Sequence, residues 1–436
     1  MTYLDHAATT PLHPKALAAM LPFLGERFGN PSGLYAFGRE AQAAVDGARA
    51  TVATCLNARP SEVLFTSGGT ESINSALVGI AYAMRRAGAG NHIITSAIEH
   101  HAGLHAVQFL EELGFEITYL GCGDSGHVSA EEFAAALRPQ TVLASVMLAN
   151  NEVGAVQPIA DIAEAIREYA ARRSHRVMLH TDAVQAPGWL PLDVHALGID
   201  ALSLSSHKFG GPKGSGVLFL RRATPFQPLL HGGGQEMQKR AGTENVAGIV
   251  GTGVALELSL QGQAKRCVRV RAMRDRLRDG ILARIPAATV NGCQVDCLPN
   301  NLNIAFDGIE SDALVAGLDE RGIAASSGSA CSSSTWEPSH VLMAMGVPIR
   351  RAVGSVRFSL GESTTDDDIE AVLAVLPEEV RRVRAGSPGR EGPVKIIAAM
   401  PLAQKTQFRI ELRDVETLFG EDWALGPAGE REKPGV

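Results

Sequence analysis

The sequence is short of cysteine, of basic excess and of long apolar runs, and each shortage excludes a class of protein. Six cysteines in 436 residues stand scattered at 55, 122, 267, 293, 297 and 331. Their spacing builds neither a disulfide framework nor a zinc ribbon, and Cys293 with Cys297 has no second pair to complete a metal site, so no metal is expected. Forty Lys+Arg against 47 Asp+Glu leave a net charge of −7, with no global basic surface for nucleic acid. No apolar run approaches a membrane span, and Met1 to Asp5 lack a signal-peptide layout, so a reducing cytoplasm is the expected compartment. What remains is an ordinary globular composition, 45% hydrophobic and 20% charged, in a chain long enough for two domains.

The rest of the chain is organised around Ser205-Ser206-His207-Lys208-Phe209-Gly210-Gly211-Pro212-Lys213-Gly214. Ala201 to Leu204 before it and Gly216 to Leu220 after it are apolar strand candidates. A lysine at a strand end, beside His and Ser and ahead of a Gly/Pro turn, is placed to form an imine with a carbonyl cofactor, because a site that disfavours charge releases the nucleophilic neutral amine. The plain alternative is a surface lysine in a hairpin turn, which is the reading of Lys213; for Lys208 alone the plain alternative wins, and only the rest of the chain shifts the balance.

Upstream, the strand Val63-Leu64-Phe65 runs into Thr66-Ser67-Gly68-Gly69-Thr70-Glu71-Ser72, and helical spacing resumes at Ile73, Ala76, Leu77 and Ile80. A strand, a Gly-rich turn and a helix N-terminus make an anion site, since free N–H groups and the helix dipole point one way. The Walker lysine and the dinucleotide glycine spacing are absent, so a lone phosphate fits better than a nucleotide; the plain alternative is a simple helix cap, which such turns also serve. Strands and helices then alternate through His92 to Thr95, Glu116 to Leu120, Thr141 to Leu148 and Arg176 to His180, which predicts a mostly parallel sheet covered on both faces. Ligands of such sheets bind beyond the carboxyl ends of the strands, where Thr70, His100, Asn151, Asp182, Gln185, Ser205, His207 and Lys208 gather.

From about Val246 to Arg284 a long, interrupted helical stretch leads into a smaller α+β region with alternating strands. In Ser355-Val356-Arg357-Phe358-Ser359-Leu360, Arg357 shares a polar face with two serines. It either grips a carboxylate in bidentate fashion or is a solvated edge-strand charge. Cys331 sits in a small, serine-rich, Gly-containing run, Ser326 to Ser334, a setting for a reactive thiol and not for a buried hydrophobe. After Gly386, Ser387-Pro388-Gly389 reads as a linker to an appendage, 386–436, of unknown role.

Seven stretches in order resemble the class V, fold-type I pyridoxal-phosphate enzymes, in particular the cysteine desulfurases of the nitrogenase-associated and housekeeping iron–sulfur branch. They are Tyr3 to Thr10, Thr66 to Ser72, Asn150-Asn151-Glu152-Val153-Gly154, Thr181-Asp182-Ala183-Val184-Gln185, Ser205 to Lys208, Arg240-Ala241-Gly242-Thr243-Glu244-Asn245 and Ser326 to Cys331. The likeness covers about residues 2–385. It implies an α/β fold with a large pyridoxal-phosphate domain at 16–257, and a smaller α+β domain from 1–15 and 258–385 that carries the cysteine loop.

The same resemblance implies the roles. Lys208 carries pyridoxal 5′-phosphate and later moves protons, Asp182 pairs with the pyridinium nitrogen, and His100 stacks on the ring. Asn151 and Gln185 lie near the phenolic oxygen and the substrate. Gly69, Thr70, Ser205 and His207 hold the phosphate, with Thr243 reaching it from the other subunit of a homodimer. Arg357 grips the substrate carboxylate with Asn30 nearby, and Cys331 takes sulfur from L-cysteine and passes it to an acceptor such as an iron–sulfur scaffold. A selenocysteine lyase or a class V aminotransferase would share Lys208 and Asp182, and the aminotransferase would not need Cys331. Three positions depart from the pattern. Tyr35 stands where the family has histidine, Ile98 precedes Glu99-His100, and Met237 replaces an arginine after Glu236.

Overall fold

Continuous apolar runs such as Val217-Leu218-Phe219-Leu220 suit a strand with side chains packed on both faces. The computed structural model describes residues 1–171, 176–327 and 338–386. In it Val217 and Phe219 join one core with Val45, Val52, Leu202 and Leu256, while Leu218 and Leu220 join another with Leu77, Ile80, Val107 and Leu143. The two cores are the two faces of a seven-stranded sheet in the order Val63–Thr66, Gly216–Leu220, Ala201–Ser205, Met178–Asp182, Thr141–Ser145, His92–Ser96 and Glu116–Leu120. Only Gly216–Leu220 runs against its neighbours, and the other adjacent pairs are parallel. Six of the strands are buried at every position, and Glu116–Leu120 at the edge is mostly not. Asp182 is the last residue of its strand, two residues beyond the His180 at which the sequence pattern would have ended it.

A second sheet of four antiparallel strands runs Ser326–Ser327, Ser355–Ser359, Asn301–Phe306, Ala288–Val290. Leu302, Ile304, Val356 and Phe358 pack there against helices Gln263–Arg284 and Asp366–Gly386 through Val270, Leu277, Val372 and Leu376. The predicted long helix divides into Val246–Leu260 and Gln263–Arg284, with Gly262 in the left-handed region (φ 66°) between them. Thr2–Tyr3 pairs in parallel with Ile323–Ala324 as a separate two-stranded sheet, and Asp5 bridges to Ser359 at the end of the second sheet before the segment crosses to the first. Among the described residues no helix is long and apolar enough to cross a membrane. Met1–Gly386 forms one unit, and the tail 387–436 lies outside the described residues.

Candidate active site

A pocket of about 330 Å³ opens where the strands of the large sheet end. Lys208 closes a short turn, Ser206–Lys208, directly after strand Ala201–Ser205. The turn folds back tightly, with Gly211 N–H donating to the Ser206 carbonyl at 2.9 Å. A Cβ at Gly211 would meet Ser206 Oγ at 1.9 Å, so a larger residue there would have to turn that hydroxyl away from Thr252 Oγ1. Lys208 Nζ donates to the carbonyls of Ala7 (2.6 Å) and Ala8 (2.7 Å). Gln185 Nε2 also donates to Ala7 (3.0 Å), and His207 Nδ1 lies 3.0 Å from Thr9 Oγ1. The segment Ala7 to Thr10 is thereby laid across the strand ends as one wall.

Asp182 faces this wall from the neighbouring strand, its Oδ1 accepting the Val184 N–H at 2.9 Å. Burial pushes its carboxyl up to about 6, against the pull of the Val184 N–H and the Lys208 charge. His100 precedes helix His101–Glu112 and accepts the Ala102 N–H on Nδ1 at 3.1 Å. Burial, reinforced by Lys208 and the nearby histidines, lowers it to about 4, so the ring is neutral with its proton on Nε2. Burial and the charges of Lys208 and Lys213 hold His207 at about 4 as well.

At the other end Arg357 comes from an interior strand of the second sheet and is only 6% exposed, which overturns the edge-strand alternative. Its Nη2 meets Asp5 Oδ1 at 2.8 Å and its Nη1 donates to the Asn151 carbonyl at 3.0 Å. Its Nε is buried with no hydrogen-bond partner among the described residues. Of the predicted residues, Gly69, Thr70, His100, Asn151, Asp182, Gln185, Ser205, His207, Lys208 and Arg357 all line the pocket. Thr243 and Asn30 do not, and both are exposed. Cys331 lies outside the described residues.

Two buried carboxyls at the site carried no role in the sequence reading. Glu99 Oε1 accepts from Ser96 Oγ (2.5 Å) and Met147 N–H (2.9 Å), and burial holds its carboxyl at about 8. Glu152 lines the pocket and accepts from Ser339 Oγ; burial raises it to about 7, against the pull of Ser339 and Arg357. Both lie within motifs already singled out, but nothing local in a sequence reports that an acid is buried. His340, beside Ser339, stands 4.5 Å from the ring of His101 and bonds the Glu99 carbonyl at 2.9 Å.

The donor set fits pyridoxal phosphate. Gly69 begins helix Gly69–Arg86, and a Cβ on it would press on Val184 (3.0 Å) and on Ser205 (3.1 Å), so the glycine leaves open a cradle at the helix N-terminus. A buried carboxyl, a neutral imidazole and a lysine amine complete the requirements for phosphate, ring nitrogen, ring face and carbonyl carbon.

The aminotransferase class-V family model matches residues 2–372, and the chain belongs to that family, whose members use pyridoxal phosphate. Within it the likeness is to cysteine desulfurases. Cysteine desulfurase IscS of Dictyoglomus turgidum is 47% identical over 389 residues, 89% of this chain and 97% of the relative. A solved NifS-like protein is 35% identical with a TM-score of 0.81, covering 87% of this chain and 99% of its own. SspA, solved in complex with cysteine, is 36% identical with a TM-score of 0.72, covering 84% of this chain and all of its own.

Proposed function

We propose that the chain converts L-cysteine to L-alanine and leaves the sulfur as a persulfide on Cys331, for delivery to iron–sulfur cluster assembly. The observation that carries this reading is one pocket holding Lys208, Asp182 and His100 at one end and buried Arg357 at the other. Gly69, Thr70, Ser205 and His207 hold the cofactor phosphate, Asp182 its ring nitrogen, His100 its face, and Gln185 and Asn151 the phenolic side. When bound, pyridoxal phosphate supplies an electron sink that loosens bonds at the substrate's α- and β-carbons.

The chain's own residues do the rest. Arg357 orients the substrate carboxylate through its Nε–H, which has no partner among the described residues, with Asn151 beside it. Lys208 moves the Cα proton at Nζ. His100, neutral with its proton on Nε2 and its Nδ1 taken by the Ala102 N–H, can donate a hydrogen bond from Nε2 to the substrate sulfur. The Cys331 thiolate forms an S–S bond to the substrate sulfur as the Cβ–S bond breaks, and the vacated carbon takes a proton, so cysteine and one thiol become alanine and one persulfide.

A homodimer is part of this reading, supported by the exposure of Thr243 away from the pocket of its own chain. The separate cores of the two sheets support a division into 16–257 and 1–15 with 258–385. The scattered cysteines support a reducing cytoplasm. The test is incubation of the cofactor-loaded protein with L-cysteine. Equal amounts of alanine and protein-bound sulfane sulfur are expected, and a keto acid without persulfide would replace the reading by a transaminase.

A further inference from the structure

Glu236, Met237 and Gln238 take the left-handed conformation in succession, with φ of 46°, 58° and 62°, although none is glycine. Side-chain-bearing residues avoid this region, and three in a row persist only where the surroundings hold them. The hold is visible. Glu236 is buried, and its carboxylate takes a fork from Arg49 (Nη1 to Oε2 2.7 Å, Nη2 to Oε1 2.9 Å) together with the Phe65 N–H at 3.0 Å. The turn delivers Arg240 onto a second acid, with Nε to Glu71 Oε1 at 2.9 Å and Nη2 to Oε2 at 3.3 Å. Glu71 Oε2 also accepts the Ser67 N–H at 2.8 Å. Burial would raise this carboxyl, but Arg240 and Ser67 bring it below the usual range and keep it ionised.

Glu71 comes directly after Thr70 in the first turn of helix Gly69–Arg86. Glu71 does not line the pocket, but an ionised acid one residue from an anion cradle repels the anion the cradle is built for unless that acid is neutralised. We propose that Arg240 is a positioning residue for the cofactor phosphate: the turn anchored by Glu236 holds its guanidinium on Glu71, cancelling a charge that would oppose the phosphate. This rests on the reading of Gly69 and Thr70 as the phosphate cradle. The arrangement differs from a direct phosphate ligand, because Arg240 acts through Glu71 and is needed only while Glu71 is charged.

The experiment compares binding of pyridoxal 5′-phosphate and unphosphorylated pyridoxal to the cofactor-stripped full-length protein, by absorbance titration, with melting temperature and oligomeric state measured alongside. Arg240→Met is expected to weaken pyridoxal phosphate about tenfold or more and to leave pyridoxal unchanged, the signature of one uncompensated charge near the phosphate. Adding Glu71→Gln to Arg240→Met should restore binding to within about threefold of wild type, since the repelling charge is gone. Loss of both ligands alike, unchanged phosphate binding, or a double variant no better than the single would overturn the proposal. If Arg240→Met proves unstable, Arg240→Gln, which also removes the charge, is expected to give the same selective loss, whereas Arg240→Lys keeps the cation and should retain the phosphate preference; loss of that preference in Arg240→Lys would overturn the proposal. A wild-type protein that binds the two ligands equally would instead defeat the cradle reading beneath it.

Discussion

At one end of the pocket Asp182, Ser205 and Lys208 leave adjacent strands of a single sheet, and the Gly69 turn enters from the same sheet. At the other end Arg357 stands on a different sheet, its guanidinium met by Asp5 from 352 positions away and by the Asn151 carbonyl from 206 away. The first end is made by a local rule, since parallel strands all terminate on the same side of the sheet and present their next residues together there. The second end has no local rule and exists only when three remote segments are in place. The cofactor end is therefore expected to tolerate damage to the second sheet, and the substrate end is not.

Removing the lysine strikes the first end alone. Lys208→Ala should lower alanine formation by about 10³-fold or more, the scale of losing a positioned proton-transfer group, while phosphate-held cofactor stays bound. A variant retaining wild-type cofactor absorbance would move the anchor to another lysine, Lys213 foremost. Cys331→Ser should leave no protein persulfide yet still bind L-cysteine, read as a substrate-induced change in cofactor absorbance. Sulfide release near the wild-type rate would remove the covalent step. Arg357→Leu breaks the second end alone. Losing a desolvated charge contact costs about 2–5 kcal/mol, so the apparent KM for L-cysteine should rise at least about thirtyfold with cofactor absorbance unchanged. A simultaneous loss of cofactor would show the two ends to be one cooperative unit.

The smallest effect expected is on stability against pH in the cofactor-free protein. Glu99 at about 8 and Glu152 at about 7 keep protons in the folded state that the unfolded chain has already lost, so stability should fall as pH rises from about 6.5 to about 8 and level off above. Below about 6.5 the buried histidines reverse the slope. His180, at about 3 between two serines, and His100, at about 4, must stay neutral in the fold, so acid favours the unfolded chain. Urea unfolding across this range should show a maximum near about 6.5, and Glu99→Gln should flatten the alkaline limb. An unchanged limb would mean that Glu99 is ionised in the fold.

The contrast between the two ends also governs what could be read without coordinates. The Phe65-to-Glu71 turn and the Lys208 strand end were readable because strand, turn and helix signals lie close together along the chain, whereas the strand ending in Asp182 runs two residues past its apolar pattern. Arg357 stayed undecided because whether a strand is central or at an edge is a property of its neighbours, here Ser326–Ser327 and Asn301–Phe306. The left-handed turn at Glu236 was unreadable for a plainer reason, since the conformation is imposed by a buried ion pair with Arg49 and carries no glycine to announce it. The break between the two long helices, by contrast, falls at a glycine able to adopt it without strain.

The carbonyls of Ala7 and Ala8 that hold Lys208, and the Asp5 carboxylate that holds Arg357, also set an order of events during synthesis. Asp5 emerges from the ribosome 352 residues ahead of its partner, roughly 20–70 s earlier at about 5–20 residues per second. Through that interval the large sheet can form and hold Ala7 to Thr10 through Gln185, His207 and Lys208, and Thr2–Tyr3 can pair once Ile323–Ala324 is made, but the strand that bridges Asp5 has not been made. The Asp5 latch therefore closes last, and a nascent chain stalled before Ser355 would carry an assembled cofactor end whose Asp5 has no Arg357 to hold.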